Sequence, residues 1–277
     1  MTTSALSFLL PDRPVLCGMI HVPALPGTSL YGGDLGTVIG RVEEEARLLA
    51  QGGCDALMIE NMHDAPYLKG AVGPEIVAAM TAAGLAAREA APSLPLGVQV
   101  LAGANCEALA VALACGAAFV RAEGFVFGHI GDEGYHDACA GELLRYRRAI
   151  GAEHIAVLAD IKKKHSSHAV TADVDLAETI HAAEFFRADG VIVTGTATGS
   201  PARPGDLERA AAATRLPVAI GSGVTPENVA EYAVADLLIV GSYFKDRGQW
   251  EGAIDAARLA ALAGAVRSVR KRPRLPR

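Results

Sequence analysis

Short, continuously apolar runs recur along the chain: VLCGMIHV (15–22), CDALMIE (54–60), LGVQVL (96–101), AFVRAE (118–123), HIAVLAD (154–160), GVIVTG (190–195), PVAIGS (217–222) and DLLIVGS (236–242). Between them lie segments with helical spacing, over 34–51, 74–91, 105–115, 138–150, 173–188, 205–214, 225–233 and 252–267. In the first of these Val38, Val42, Ala46 and Leu49 share one face, and Gly52-Gly53 stops the helix. Strands apolar on both faces and alternating with helices call for a parallel sheet covered by helices. Eight such units predict an α/β fold, a closed (β/α)8 TIM barrel over residues 1–266, with an open doubly wound sheet as the alternative. The connections agree. Helix-to-strand links such as GG, GA and AD are short, whereas strand-to-helix links such as NMHDAPYLKG and IKKKHSSHAVTA are long and polar. In a barrel the long ones gather at the C-terminal face, where active sites form.

Composition changes this picture little. The chain has 277 residues, 51% hydrophobic and 20% charged, which suits a large buried core. Five cysteines (Cys17, Cys54, Cys106, Cys115, Cys139) show neither C-x-x-C nor zinc spacing, and read as reduced thiols of a cytoplasmic protein. No apolar run reaches the ~18 residues of a membrane span, so no integral membrane association is expected. Charge is unevenly placed. The last eleven residues, RSVRKRPRLPR, hold six basic residues and no acid, leaving 19 basic against 31 acidic elsewhere, a net of −12. An acidic body speaks against nucleic acid as a partner. Residues 267–277 read as a disordered, solvated tail, and a homo-oligomeric state is left open.

The seventh and eighth strands both end in Gly-Ser. In many barrels the loops there hold a phosphate on backbone N–H groups. Gly221, Gly223 and Gly241 would let the backbone approach an anion, with Ser222 and Ser242 as hydroxyl donors. Local helix capping by Thr225-Pro226 is the simpler use of the first turn, but it leaves the second Gly-Ser unexplained.

Period-2 alternation predicts that His21, Glu60, Gln99, Glu123, Asp160 and Lys162 converge on the barrel mouth. Carboxylates, a histidine and a lysine over an apolar floor would shift one another's pKa values. Asp160 with Lys162, two apart on the fifth strand, form the expected catalytic centre, supported by Glu60, Glu123 and His21. The same groups could instead make structural ion pairs, Glu123 with Arg121 or Lys162. A divalent metal on Glu60, Glu123, Asp160 and His21 is a further use of the set, although no spacing is diagnostic. A Schiff base would require a desolvated lysine. His63-Asp64, His129 and His136 read as lid residues or surface polar groups. No other cofactor motif is present.

GMIHVPALPG (18–27), IENMHDAPY (59–67), ADIKKKH (159–165) and GSGVTPENV (221–229) resemble the BtpA/SgcQ family over roughly residues 14–260. The resemblance implies a phosphate-binding type of TIM barrel. One branch takes its name from a cyanobacterial protein needed for photosystem I accumulation, and another is associated with sugar-utilisation gene clusters; the chemistry stays open. Together these readings favour an enzyme acting on a small phosphorylated metabolite, a sugar or nucleoside phosphate, by isomerase, epimerase or lyase chemistry. Asp160 or Glu60 would move a proton and Lys162 would stabilise negative charge. The alternative is a non-catalytic assembly or stability factor acting through protein contacts.

Overall fold

The computed structural model describes residues 6–195 and 199–272. Its strands are β1 (Val15–His21), β2 (Ala56–Glu60), β3 (Leu96–Gln99), β4 (Phe119–Ala122), β5 (His129–Gly131), β6 (Gly134–His136), β7 (Ala156–Ile161), β8 (Ser166–Ser167), β9 (Gly190–Val193), β10 (Val218–Ile220) and β11 (Leu237–Val240). The helices are α1 (Leu35–Gln51), α2 (Pro74–Ala90), α3 (Asn105–Cys115), α4 (Ala140–Ala149), α5 (Leu176–Phe185), α6 (Pro204–Ala213) and α7 (Ala256–Ser268). Strands β1, β2, β3, β4, β7, β9, β10 and β11 close in chain order into a parallel barrel, β11 pairing back onto β1. The fold is a (β/α)8 TIM barrel.

Period-2 alternation divides the barrel strands between an inner and an outer layer. Val15, Cys17 and Met19 of β1, Met58 of β2, Phe119 of β4, Leu158 of β7, Ile192 of β9 and Ile239 of β11 fill the barrel interior. Leu16 and Ile20, one residue out of phase, pack with Val38, Val42 and Leu49 of α1 in the layer between sheet and helices. Register carries the alternation across strands: Met19 pairs with Met58, His21 with Glu60, and Glu60 with Gln99. The last inward-facing positions are thereby the polar residues His21, Glu60 and Gln99, at one end of the barrel. Leu6, Phe8, Leu9 and Leu10 cover the other end, with Phe8 stacked on Phe119 at 5.6 Å.

Two expectations need correction. The helix predicted over 225–233 is only a 3-10 turn, Val229–Tyr232. Asn228 explains the difference: its Oδ1 accepts from Thr225 N and its Nδ2 donates to Gly223 O, both at 2.8 Å, folding the segment into a local turn. Thr225-Pro226 therefore starts no α-helix. The second correction concerns the basic C-terminal segment, whose residues 267–272 are anchored to the body at Val269, Lys271 and Arg272, although Arg267, Ser268, Arg270 and Arg272 stay exposed. Arg267 and Ser268 finish α7, and Val269 is buried. Lys271 pairs with Asp236, its backbone N–H donates to Asp12 O at 2.8 Å, and Arg272 N donates to Ala233 O at 2.9 Å. Residues 273–277 lie outside the described residues.

The first and last barrel units are tied by a buried ion pair. Lys245 donates to both oxygens of Glu45 on α1, at 2.6 and 2.7 Å. Burial pushes the Lys245 ammonium down and the Glu45 carboxylate opposes it.

Candidate active site

At the C-terminal face a cavity of about 200 Å³ is lined by His21, Glu60, Arg121 and Lys164 on one side. Gly221, Gly223, Gly241, Ser242 and Arg258 line the other, above a floor that includes Met19 and Ile239. The two halves follow from the sequence differently. The first is the polar ends of inward-facing strand rows; the second is the glycine-rich turns after β10 and β11, with Arg258 added from the first turn of α7. Asp255 caps that helix, accepting from Ala257 N at 2.8 Å and Arg258 N at 3.1 Å. Arg258 is held further by donation from its Nε to Tyr243 O at 2.6 Å and by its place 4.3 Å above the Tyr243 ring.

His21 is almost fully buried, and its Nδ1 donates to the backbone oxygen of Trp250 at 2.9 Å. Burial pushes its pKa down to about 3, so the ring is neutral at physiological pH with Nε2 as its acceptor atom. Nε2 lies against the Gly241 backbone, and a Cβ at that position would sit 2.7 Å from it. Glycine at the end of β11 thus makes room for an imidazole. Glu60 is also buried. Desolvation pushes its carboxyl above the usual carboxylate range, against the pull of Arg121 and Lys164.

Asp160 faces inward as expected, but its partner is Arg121. The guanidinium Nε and Nη2 both donate to Asp160, at 3.0 Å each, in a fork that keeps the pair ionised although burial pushes the acid up. The expected Asp160–Lys162 centre is therefore not formed. β7 ends at Ile161, and Lys162 takes φ 47°, which breaks the alternation that would have aimed it inward. Its Nζ donates to Thr171 O at 3.2 Å. Glu123 pairs with Lys163, at 3.2 Å, rather than with Arg121 or Lys162. Gln99 and Glu123 are buried, and Gln99 Oε1 and Glu123 Oε2 have no hydrogen-bond partner among the described residues. Among the described residues no three His, Cys, Asp or Glu side chains are grouped as metal ligands. Glu60, Glu123, Asp160 and His21 accordingly do not form the cation site considered from the sequence.

The glycine-serine turns also divide. Ser222 Oγ accepts from Gly195 N and donates to Ser200 O, both at 2.9 Å, so its single hydrogen ties two loops together instead of facing an anion. Gly223 has φ +71°, and a Cβ there would collide with the Ser200–Pro201 backbone. Ser242 opens a 3-10 turn, Ser242–Phe244, whose first N–H groups have no acceptor within so short a turn.

Over the mouth lies a small antiparallel sheet: β5 and β6 from the loop after β4, joined by β8 from the loop after β7. His129 and His136 are buried there, not surface groups, with rings stacked 4.9 Å apart. His168 approaches His129 at 5.7 Å and donates from Nε2 to Lys163 O at 3.0 Å. Asp64 is structural, accepting from Leu25 N at 2.9 Å and Asn61 Nδ2 at 2.8 Å, while His63 packs on Trp250 at 4.8 Å. Sequence reading missed Arg121 as a cavity residue, Lys164 and Arg258. Strand alternation stops at Lys162, so it gave no signal for Lys164, and nothing local marks Arg258.

The BtpA family profile matches residues 12–268. A Caenorhabditis elegans protein described as uncharacterized and mitochondrial is 46% identical over 264 residues, covering 94% of this chain and 95% of its own. The photosystem I biogenesis protein BtpA of Synechocystis is 39% identical over 256 residues, covering 92% and 88%. Among solved structures, orotidine 5'-monophosphate decarboxylase of Methanocaldococcus jannaschii superposes with a TM-score of 0.58 at 14% identity, over 92% of this chain and 99% of that one. The last likeness is one of fold.

Proposed function

The chain belongs to the BtpA family, and from that premise we propose that it is an enzyme acting on a small phosphorylated metabolite, a sugar or nucleoside phosphate, in the cytoplasm. The observation that carries this reading is the two-sided cavity. One side offers backbone groups and a fixed guanidinium to an anion, and the other offers titratable groups within the same small volume. The phosphate would lie against Gly223, Ser242 and Arg258, at the turns after the last two barrel strands. Glu60 would move a proton, and Arg121 would stabilise negative charge on the reacting oxygen. Isomerase, epimerase and lyase chemistry all use that arrangement. The barrel neighbour above is a decarboxylase of orotidine 5'-monophosphate, a phosphate ester, which accords with it.

Inorganic phosphate titration and a thermal-shift screen of phosphorylated metabolites test the reading. Phosphate should bind, and Arg258→Met should weaken it about 10- to 100-fold, the value of a charge-assisted hydrogen bond, while the unliganded melting temperature changes little. For a metabolite found by the screen, Glu60→Gln should lower kcat by about 10²- to 10⁴-fold. No shift with phosphate or any metabolite would sink the proposal. A second reading, an assembly or stability factor, is supported by Phe185 and Phe186, exposed by 80% and 47% at the end of α5. It predicts no turnover. The buried ionisable groups at the mouth weigh against it, since a scaffold gains nothing from desolvating them.

A further inference from the structure

The three consecutive lysines after β7 have three different fates. Lys162 turns out of the barrel to Thr171 O, and Lys163 is buried against Glu123. Lys164 alone of the three lines the cavity at the C-terminal face, with Glu60, Arg121 and His21. Its backbone is held in place: Lys164 N donates to Thr194 Oγ1 at 3.0 Å, and the residues two before and one after it, Lys162 and His165, both take positive φ.

The charges around Lys164 do not favour an ammonium as strongly as their number suggests. Asp160 is committed to Arg121 through the bidentate fork, and one oxygen of Glu123 is committed to Lys163. Arg121 itself is a like charge. Burial is the largest influence on Lys164 and lowers its pKa, Arg121 adds to the effect, and Glu60, Asp160 and Glu123 oppose it. A lysine desolvated beside another cation is the setting in which the amine becomes a nucleophile.

We propose that Lys164 forms a covalent imine with the carbonyl carbon of a short phosphorylated aldehyde or ketone bound in this cavity. The inference rests on the phosphate reading above and gives its substrate class. The Nζ lone pair attacks the carbonyl carbon; the C=O π pair moves to oxygen, which takes the proton that the nitrogen sheds. The carbinolamine hydroxyl then accepts a second proton, for which Glu60 is the donor in the cavity, and leaves as water while the nitrogen lone pair forms the C=N bond. The remaining N–H proton of the iminium returns to the Glu60 carboxylate. Amine plus carbonyl gives imine plus water, with no change of oxidation state. The cavity volume of about 200 Å³ restricts the partner to a short chain.

The full-length chain is incubated with dihydroxyacetone phosphate or glycolaldehyde phosphate and reduced with borohydride. Intact mass and peptide mapping should show one adduct, of the probe's mass less one water plus two hydrogens, on Lys164. Inorganic phosphate should suppress it, Lys164→Arg should abolish it, and Lys162→Arg should retain it. Acetic anhydride labelling from neutral to alkaline pH gives an independent readout without a ligand. Lys164 should label at neutral pH at least about 10-fold faster relative to its alkaline plateau than the exposed Lys69, one pKa unit's worth. Equal pH dependence for Lys164 and Lys69, or an adduct mapped to any other lysine, overturns the proposal. If phosphate still binds in that case, only the imine falls; if phosphate also fails to bind, the reading beneath it falls too.

Discussion

His21 shows how one side chain couples the site to stability. Its ring is neutral because burial holds its pKa near 3, against an ordinary value of 6.5, so the unfolded chain binds the extra proton first. Stability from this group is complete above pH 6.5 and is lost as pH falls toward 3; His129, also pushed down to about 3 by burial, acts in the same direction. Glu60 acts oppositely, since a raised carboxyl favours the folded state at low pH and loses that advantage as pH rises. Replacing His21 by Asn keeps a donor near the Nδ1 position and removes the titration. Urea unfolding of His21→Asn between pH 7 and pH 4 should therefore show a flatter pH dependence than the parent protein, the two curves converging toward acid. A parallel pair of curves would show that His21 does not carry the acid sensitivity.

At the scale of one element, β7 and its loop explain why strand alternation was a good guide to Asp160 and a poor one to Lys162. Alternation is a property of extended backbone, and it ends where the φ angle of Lys162 turns positive. The consequence for mutagenesis is specific. Asp160→Asn leaves the buried Arg121 guanidinium without a counter-charge and should cost about 3–5 kcal/mol of stability, visible in chemical denaturation before any assay. Lys162→Met removes one half-buried hydrogen bond to a carbonyl and should cost no more than about 1.5 kcal/mol. Equal costs for the two would contradict the Arg121–Asp160 pairing. The turn after β10 adds a steric case: Gly223→Val would push Ser200–Pro201 away and disturb the fold along with any ligand.

Across the whole molecule the barrel is closed at one end by residues near the N-terminus and braced by the chain after α7. Lys271 reaches Asp236 before β11 and Asp12 before β1, so it fastens the seam where last strand meets first. Truncation after Val266 removes that fastening and the buried Val269. It should destabilise the protein by more than about 1 kcal/mol, beyond the range of ordinary surface changes. A truncated chain with an unchanged unfolding midpoint would mean that these contacts contribute nothing in solution.

The eight apolar runs, their alternation with helices and the asymmetry of loop lengths were enough to specify the barrel, because burial on both faces of a strand and on one face of a helix is written into local periodicity. The same periodicity identified His21, Glu60 and Asp160 as inward-facing residues at strand ends. Which charges pair was not local information. Arg121 and Asp160 are 39 residues apart, Lys163 and Glu123 40, and Lys245 and Glu45 200. Each pairing depends on the distance between side chains on different strands, loops or helices, to which a one-dimensional pattern has no access. Arg258 reaches the cavity because closure of the ring carries the start of α7 over the turns after β10 and β11. Lys164 faces the cavity because the backbone leaves β7 in a left-handed turn that no residue preference announced. Short-range periodicity therefore determined the scaffold, and only the closed barrel decided which of its polar groups meet.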